Sequence, residues 1–253
     1  MRALSFGAVA DSYDRFRPDY PRAVYDTVAD YAGQTPRTAL EIGAGTGKAT
    51  RLFADHGIEI TATEPDEAML DKLRATAAPT VTAVRSAFED LRPERTYALV
   101  YVAAALHWTR PEGRWPRVAA LLEPGGVFAA LGGPFRLADA EVAAAVHAAR
   151  APYLDSDEVL PPDGTPEGAP MQWPGTELQA CDLFEDVRQV HVERRLALSA
   201  DEYVGYLRTV SAYLQLPEAV RTRAFGAIAR VLPETVAINA DITVHLARRR
   251  AAA

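Results

Sequence analysis

Short runs of apolar and β-branched residues alternate with helix-length segments through the first half of the chain. The runs predict strands at 38–42, 59–63, 81–84, 98–103 and 127–131. The segments between them predict helices at 48–56, 66–76 and 112–122, the last one stopped by Pro124-Gly125-Gly126. Because the strand segments are continuously apolar, helices are expected to cover both faces of the sheet.

The pattern changes after residue 131. An Ala-rich helix is predicted at 137–150, a loop dense in Pro and Gly at 152–175, a helix at 176–184 and a strand at 187–198. Ser199 and Glu202 form a capping-box pattern that opens a helix to about residue 214, and Pro217 opens another to about 231. With a last strand at 240–247, the elements predict an α/β fold: a doubly wound, mostly parallel sheet of seven strands with helical insertions.

Composition and charge narrow the class of protein. The 253 residues, 49% of them hydrophobic, suffice for one sizeable core, so we expect a single domain. The net charge is −7 without a basic stripe, which disfavours nucleic acid and membrane partners. A single cysteine, Cys181, and histidines without metal-ligand spacing predict no metal site. Since no signal-like or membrane-length apolar run occurs, the cytoplasm is the expected location, while the oligomeric state stays open.

The most informative segment follows the first predicted strand and enters a helix: Glu41-Ile42-Gly43-Ala44-Gly45-Thr46-Gly47. Three alternate glycines favour a tight turn and let a ligand approach the backbone without meeting a Cβ atom. Open α/β sheets bind ligands at this place. Lys48 stands where a dinucleotide fingerprint needs glycine, and Ile42 and Ala49 fail the glycine and hydroxyl positions of a phosphate loop. Both phosphate interpretations are therefore disfavoured.

Glu64 ends the second predicted strand, 21 positions after Gly43. A carboxylate at this position can accept hydrogen bonds from both hydroxyls of a ribose. A Glu beside Pro65 is also compatible with simple turn chemistry, but its place between a strand and a helix favours ribose binding. Loop and carboxylate together indicate a nucleoside ligand without phosphates.

On these residues the chain resembles the class I S-adenosylmethionine-dependent methyltransferases, which have a Rossmann-like fold. The family's first motif is matched by Glu41, Gly43, Gly45 and Gly47, its ribose acid by Glu64, and its turn before the fifth strand by Pro124-Gly125-Gly126. Two further segments are similar to the small-molecule branch that includes trans-aconitate methyltransferase-like enzymes: Phe6…Tyr13…Arg17-Pro18-Asp19-Tyr20-Pro21 and Leu106-His107-Trp108.

The resemblance implies S-adenosylmethionine as cofactor, S-adenosylhomocysteine as product and a small-molecule acceptor. It also implies an organisation of the single domain 1–253: an N-terminal helical lid (1–30), a cofactor-binding core (37–132), substrate-side helical insertions (136–240) and a closing strand (241–248).

Further cofactor contacts follow from the resemblance alone. They are Tyr13, Arg17, Ala44, Thr46, Pro65, Met69, Ala87, Phe88, Glu89 and Ala103. Ala87 and Phe88 would meet the adenine, with Glu89 near its exocyclic amine. The chain departs from the family pattern at Ser86 and at Tyr97-Ala98, where aspartate is common.

Substrate contacts are predicted at Tyr20, His107, Trp108, Tyr206 and Tyr213. His107, just past the fourth strand, is the candidate general base if the acceptor must lose a proton; the alternative is a histidine that packs on Trp108. Arg17 can pair with the carboxylate of the cofactor or with an acidic substrate. Tyr13 and Tyr20 either close the N-terminal segment over the site or dock it. Tyr206, Val210 and Tyr213 recur at helical spacing, which suits a core as well as a roof over the site.

Three functions remain open on the sequence. The first is methyl transfer, by in-line displacement, to an O, N or C atom of a metabolite acid or natural product. The second is a non-methylating enzyme, such as a cyclase, and the third a binding protein that retains the nucleoside pocket. A nicotinamide oxidoreductase is opposed by Lys48.

Overall fold

The computed structural model describes residues 6–92, 94–157, 161–166 and 168–251. The chain divides into two compact units. The unit called here the sheet unit consists of Asp19–Gly132, Leu160–Val192 and Ile242–Ala253. The other, called the helical unit, consists of Met1–Pro18, Gly133–Val159 and Glu193–Asp241.

The strands, in chain order, are β1 (Thr38–Ile42), β2 (Glu59–Thr63), β3 (Val81–Val84), β4 (Tyr97–Ala103), β5 (Leu122–Gly132), β6 (Arg136–Leu137), β7 (Phe184–Val192), β8 (Arg195–Ser199), β9 (Thr235–Asn239) and β10 (Ile242–Arg249). The helices are α1 (Ala10–Phe16), α2 (Arg22–Ala32), α3 (Lys48–Ala54), α4 (Glu67–Thr76), α5 (Arg114–Leu121), α6 (Ala140–Arg150), α7 (Gly175–Gln179), α8 (Ala200–Leu207), α9 (Ser211–Leu214) and α10 (Glu218–Ala229). Short 3₁₀ turns lie at Gly7–Val9, Phe88–Asp90 and Leu106–Trp108.

The sheet unit is built on a seven-stranded sheet in the order β3-β2-β1-β4-β5-β10-β7. The strands from β3 to β5 in that order are parallel, and β10 runs antiparallel to both of its neighbours. The predicted doubly wound, mostly parallel sheet is thus confirmed. Strand β1 pairs with β2 on one side and with β4 on the other, which makes its carboxyl end the switch point where such sheets bind ligands.

Both faces of this sheet are buried, which explains the continuously apolar strand segments. Along β4, Leu99 and Tyr101 face one apolar cluster, while Val100 and Val102 face the other. Helices α2 and α3 contribute to the first cluster and α5 to the second. Successive side chains of the strand therefore enter two different apolar cores. Because both faces are buried, the strand sequence does not alternate between polar and apolar residues.

The helical unit contains a small antiparallel sheet in the order β6-β9-β8. Its helices and sheet enclose a separate core with Tyr203, Phe225, Ile228 and Ile238 among its buried members. The capping box predicted at the start of α8 is confirmed, because the Ser199 hydroxyl accepts from the Glu202 amide and the Glu202 carboxylate accepts from the Ser199 amide.

Several predicted boundaries in the second half of the chain are wrong. The strand predicted at 187–198 is two strands in different sheets, β7 and β8, separated by residues 193–194. Within that turn, the backbone amide of Arg194 donates to Asp241 Oδ1 at 2.8 Å. Strands β6 and β9 were not predicted, and the helix predicted at 176–184 is the shorter α7. The helix predicted at 137–150 begins only at Ala140, after the N-cap Asp139, and the last strand spans 242–249.

The turn predicted at Pro124-Gly125-Gly126 is a different structure. Strand β5 already begins at Leu122, which pairs with Tyr97 of β4, and the register then shifts between Tyr97 and Leu99. Gly125 has a φ of +75°, which a residue with a Cβ adopts only at a cost. The motif is an irregularity inside the strand, and it does not end the preceding helix.

The single helix predicted at 199–214 is broken. Helix α8 ends at Leu207, and α9 begins only at Ser211. The Thr209 hydroxyl donates back to the Tyr206 carbonyl at 2.6 Å, and the guanidinium of Arg17 donates to both the hydroxyl and the carbonyl of Thr209, at 2.8 and 3.0 Å. A cation at this helix end stabilises the terminal carbonyls and favours termination there.

Candidate active site

The predicted glycine loop joins β1 to α3 at the switch point of the sheet. Gly43, Gly45 and Gly47 have φ angles of +65°, +58° and +87°. These left-handed conformations are costly for residues with a Cβ, so the tight turn expected from the alternate glycines is present.

Packing within the protein also requires these glycines. A Cβ at Gly43 would lie 2.7 Å from the Cβ of Ala105, and one at Gly47 would lie 3.2 Å from Cγ of Leu73. A Cβ at Gly45 would lie at an ordinary contact distance, 3.5 Å, from Cε of the buried Met69. The bare backbone thus lets the loop sit close to α4 and to the segment after β4, in addition to any ligand contact.

Glu64 connects the loop to the start of α4. Its Oε2 accepts from the Gly45 amide and its Oε1 from the Asp66 amide, both at 2.9 Å. Burial raises the pKa of Glu64, while these two hydrogen bonds act in the opposite direction. Because each carboxylate oxygen has a second lone pair, the predicted contact with two ribose hydroxyls is compatible with this arrangement.

Glu41 lies beneath the loop with only 1% of its surface exposed. Its Oε2 accepts from the Thr50 hydroxyl at 2.5 Å and from the Tyr101 hydroxyl at 2.8 Å. Burial raises the pKa of Glu41 to about 7, although the hydrogen bonds from Thr50 and Tyr101 lower it. The family motif acid is therefore part of a buried network that fixes β1 to α3 and β4.

The loop fits a ligand that carries hydroxyl and cationic groups. Among the described residues, the buried Glu41 Oε1 and Thr46 Oγ1 have no hydrogen-bond partner. A buried polar atom left unpaired costs about 1–3 kcal/mol, so polar or positively charged ligand groups would be stabilised here. The nearby cationic side chains, Lys48 and Arg51, are paired with a carboxylate and do not form a phosphate site. Both donate to Asp19, at 3.1 and 3.0 Å.

His107 lies in the 3₁₀ turn that follows β4. The chain leaves the strand at Ala104, a non-glycine residue with a φ of +52° whose amide donates to the Leu131 carbonyl of β5. Such a conformation is strained and is found preferentially at functional sites. The half-buried imidazole packs on Trp108 with 4.4 Å between ring centroids. Burial, and then the charge of Arg114, lower the pKa of His107 to about 4, so the ring is neutral at physiological pH.

The residues predicted around the adenine lie after β3. Phe88 is buried in the core cluster of α5, with the guanidinium of Arg117 5.8 Å from its ring centroid. The carboxylate of Glu89 accepts from the Arg110 amide at 2.8 Å. Ala87 and Pro65 are half-buried, as is Ala103 at the end of β4. Their contacts with a nucleoside stay predictions.

Other predicted site residues belong to the helical unit. The guanidinium of Arg17 lies 4.5 Å from the Tyr206 ring centroid and 5.2 Å from that of Tyr13, so these three side chains are together. Tyr206 and Tyr213 belong to the core of this unit, and Tyr213 has no exposed surface. Tyr20 belongs to the sheet unit, where it packs against the core cluster of α2 and α3. Roles of these residues in binding stay predictions.

Residues 39–126 match a family model described as a methyltransferase domain. This segment runs from β1 into β5 and contains the glycine loop, Glu64 and His107. Over these residues the chain resembles a methyltransferase domain. The resemblance drawn from the sequence motifs is thereby confirmed.

Curated proteins that are similar to this chain are methyltransferases by name. Over 124 residues, 49% of this chain and 50% of the relative, the chain is 39% identical to an uncharacterized methyltransferase of Mycobacterium tuberculosis. Over 120 residues, 46% of each protein, it is 32% identical to the trans-aconitate 2-methyltransferase of Methylobacterium radiotolerans. The chain spans about half the length of the curated relatives that it matches.

Solved structures resemble the chain over nearly its whole length. A candidate type II methyltransferase from Anaeromyxobacter dehalogenans, 27% identical, has a TM-score of 0.63 and covers 93% of this chain and 98% of its own. A methyltransferase from Geobacter sulfurreducens in complex with S-adenosyl-L-homocysteine, 15% identical, has a TM-score of 0.53 and covers 94% and 96%. The Rossmann-like fold is thus confirmed.

The structure adds residues that the sequence interpretation missed. Thr50 and Tyr101 complete the network of Glu41, and Arg114 with Thr109 supports the turn of His107. The pairing of Glu41 with Tyr101 follows from the register of β1 against β4, a signal that exists only once the strand order is known.

Two features are absent from the described residues. No group of three or more His, Cys, Asp or Glu side chains could hold a metal ion in the part of the chain that the structure describes. Within the same residues, no helix has both the length and the apolar surface needed to cross a membrane.

Proposed function

We propose that this protein binds S-adenosylmethionine at the glycine loop and transfers its methyl group to a small-molecule acceptor. One observation carries the proposal: the left-handed loop 43–47 is hydrogen-bonded to Glu64 at the switch point, inside the segment that matches a methyltransferase domain. The neighbour solved with S-adenosyl-L-homocysteine supports the choice of cofactor.

Each part of the cofactor would be bound by residues of matching chemistry. The backbone of Gly43–Gly47 would contact the methionine part, and the orphaned Glu41 Oε1 would provide negative charge beneath its cationic groups. Glu64 would accept from the ribose hydroxyls, with Met69 packed against the sugar and Ala87 and Phe88 toward the adenine.

The bound cofactor would supply a methyl group on a sulfonium, whose departing thioether is neutral. The chain therefore needs no acid for the leaving group, and its main task is to hold donor and acceptor in line at near-attack distance. The His107 ring is uncharged at neutral pH and can take up a proton transiently, although its lowered pKa makes it a weaker base than an ordinary histidine. An acceptor hydroxyl or carbon acid would use this base, whereas a carboxylate acceptor would not need it.

A small carboxylic acid is the acceptor class with most support. One curated relative, 32% identical over 46% of this chain, is a trans-aconitate 2-methyltransferase. The non-methylating alternatives, a cyclase or a binding protein, share the pocket and would differ in leaving the cofactor unconsumed.

The test is calorimetry followed by turnover. The wild-type protein should bind S-adenosylmethionine and S-adenosylhomocysteine, and should transfer label from methyl-labelled cofactor to a member of a panel of small acids that begins with trans-aconitate. Bound but unconsumed cofactor would leave a binding protein or a non-methylating enzyme. An absence of binding by well-folded protein would refute the proposal.

A matched pair of variants localises the binding. Glu64→Gln should weaken cofactor affinity at least about tenfold, since hydrogen bonds to charged groups contribute about 1.5–3 kcal/mol. Glu67→Gln changes an exposed carboxylate at the start of α4, which pairs with Arg74 and Arg85, and should leave the affinity unchanged. Equal affinities of the two variants would contradict the role of Glu64.

A further inference from the structure

Arg114, the first residue of α5, is a charged side chain with only 2% of its surface exposed. Its Nε donates to the Thr109 hydroxyl at 2.9 Å and its Nη2 to the Thr109 carbonyl at 2.8 Å. The remaining Nη1 donates to Glu177 Oε2 at 3.2 Å. Each nitrogen of the guanidinium therefore has a protein acceptor, which fixes the group in one orientation.

Thr109 is the residue that closes the turn of His107. Its hydroxyl donates to the Leu106 carbonyl at 2.7 Å, and its amide donates to the same carbonyl at 3.0 Å. The guanidinium of Arg114, called here the fork, thus holds Thr109, the last residue of the 106–109 segment, through hydrogen bonds to two of its atoms. Movement of this segment away from α5 would break both of its bonds to the guanidinium.

Glu177 orients the fork from a distant part of the chain. Its Oε2 accepts from Arg114 and also from the indole nitrogen of Trp115, at 2.9 Å. Helix α7, which carries Glu177, is joined in this way to the first two residues of α5. Because an ion pair between a buried guanidinium and a partly exposed carboxylate adds little net stability, we assign to Glu177 the role of orienting the guanidinium.

We propose that Arg114 is a positioning residue for the methyltransferase site, which it supports by holding the 106–109 turn, and with it His107, in one place. The inference rests on the proposed function, since it takes His107 to contact the methyl acceptor, either as a base or as part of the substrate pocket. The positive charge of Arg114 has a second effect. After burial, it is the next largest cause of the lowered pKa of His107, so it keeps the imidazole uncharged but disfavours its protonated form.

The experiment separates the effect of the guanidinium's hydrogen bonds from the effect of its positive charge. Arg114→Met removes both, Arg114→Lys retains the charge but loses the fork, and Thr109→Val removes the hydroxyl while leaving the ion pair with Glu177. Arg95→Met is the matched control, because it removes the same side chain from an exposed ion pair with Glu59. For each protein, calorimetry gives the cofactor affinity, initial rates give kcat and KM, and NMR titration of the histidine ring protons, assigned with His107→Ala, gives the pKa of His107.

The variants should differ in a defined order. Arg114→Lys and Thr109→Val should lose about 10²-fold in kcat, the effect expected for a displacement of about 1 Å, with cofactor affinity unchanged. The pKa of His107 should stay low in Arg114→Lys and rise in Arg114→Met. Arg95→Met should match the wild type in every measurement. If Arg114→Met does not fold, the other two variants still decide.

Two failures can be told apart. If the wild type transfers methyl groups while Arg114→Lys and Thr109→Val keep its kcat, the positioning role is overturned. If the wild type neither binds cofactor nor transfers label, the proposed function fails instead. The titration of His107 needs no cofactor, and a pKa unchanged in Arg114→Met would by itself contradict the electrostatic part.

Discussion

Replacement of Glu41 by glutamine measures how much the burial of an ionisable carboxyl group lowers the free energy of unfolding. In the folded protein, burial raises the pKa of Glu41 to about 7 from an ordinary 4.5. Between these values the folded protein keeps a proton that the unfolded chain releases. The free energy of unfolding therefore falls as the pH rises from 4.5 to 7, and the full penalty applies above pH 7.

The size of the effect follows from the pKa difference. About 2.5 units at roughly 1.4 kcal/mol each give about 3 kcal/mol. Two histidines act in the opposite direction, because burial lowers the pKa of both His107 and His245 to about 4. Their contributions raise the stability between pH 4 and 6.5, but they are present in both proteins and cancel in the difference.

The assay is urea unfolding of the cofactor-free wild type and of Glu41→Gln, at intervals from pH 4.5 to 8. The variant should gain about 3 kcal/mol relative to the wild type across this range, with most of the gain below pH 7. Glu59→Gln, which changes an exposed carboxylate on β2, is the control and should show little gain. A difference between Glu41→Gln and wild type that stays constant with pH would refute the reasoning.

Three further predictions concern the backbone. Gly43→Ala should lower the unfolding free energy by about 1–3 kcal/mol, because its Cβ would collide with Ala105 at a left-handed φ; a melting temperature equal to wild type would contradict this. Arg17→Ala should accelerate amide hydrogen exchange at residues 206–210, where the guanidinium now holds Thr209, and unaltered exchange there would exclude the capping role. Ser199→Ala should cost about 1 kcal/mol in thermal denaturation as the capping box is lost, and no loss would show that Glu202 alone suffices.

The first half of the fold could be predicted because its signals are local. The bounds of β1, β2 and β3 coincide with the apolar runs, because each run is followed by a polar residue or glycine; β1 and β2 are largely buried, whereas β3 is a partly exposed edge strand. The second half lacked such signals. Strand β9 is short and half-exposed, and the end of α8 depends on Arg17, which lies 192 positions from Thr209 in the sequence.

The candidate site also has one part that the sequence predicts and another that it does not. The glycine loop and Glu64 are encoded in two short motifs, so the sequence was sufficient to find them. The cluster around Arg114 brings together Thr109, five positions away, and Glu177, 63 positions away, on a helix of only five residues. No periodicity connects these residues, and only the tertiary structure shows that they touch.

The position of β10 has a consequence for how the sheet unit forms during synthesis. This strand is the last in the sequence, yet it lies between β5 and β7. Until residues 242–249 leave the ribosome, β5 therefore has an open backbone edge and β7 has no partner strand in this sheet. A chain stopped before residue 242 would carry the whole glycine loop and still expose the edge of β5 and the unpaired β7, so it should aggregate.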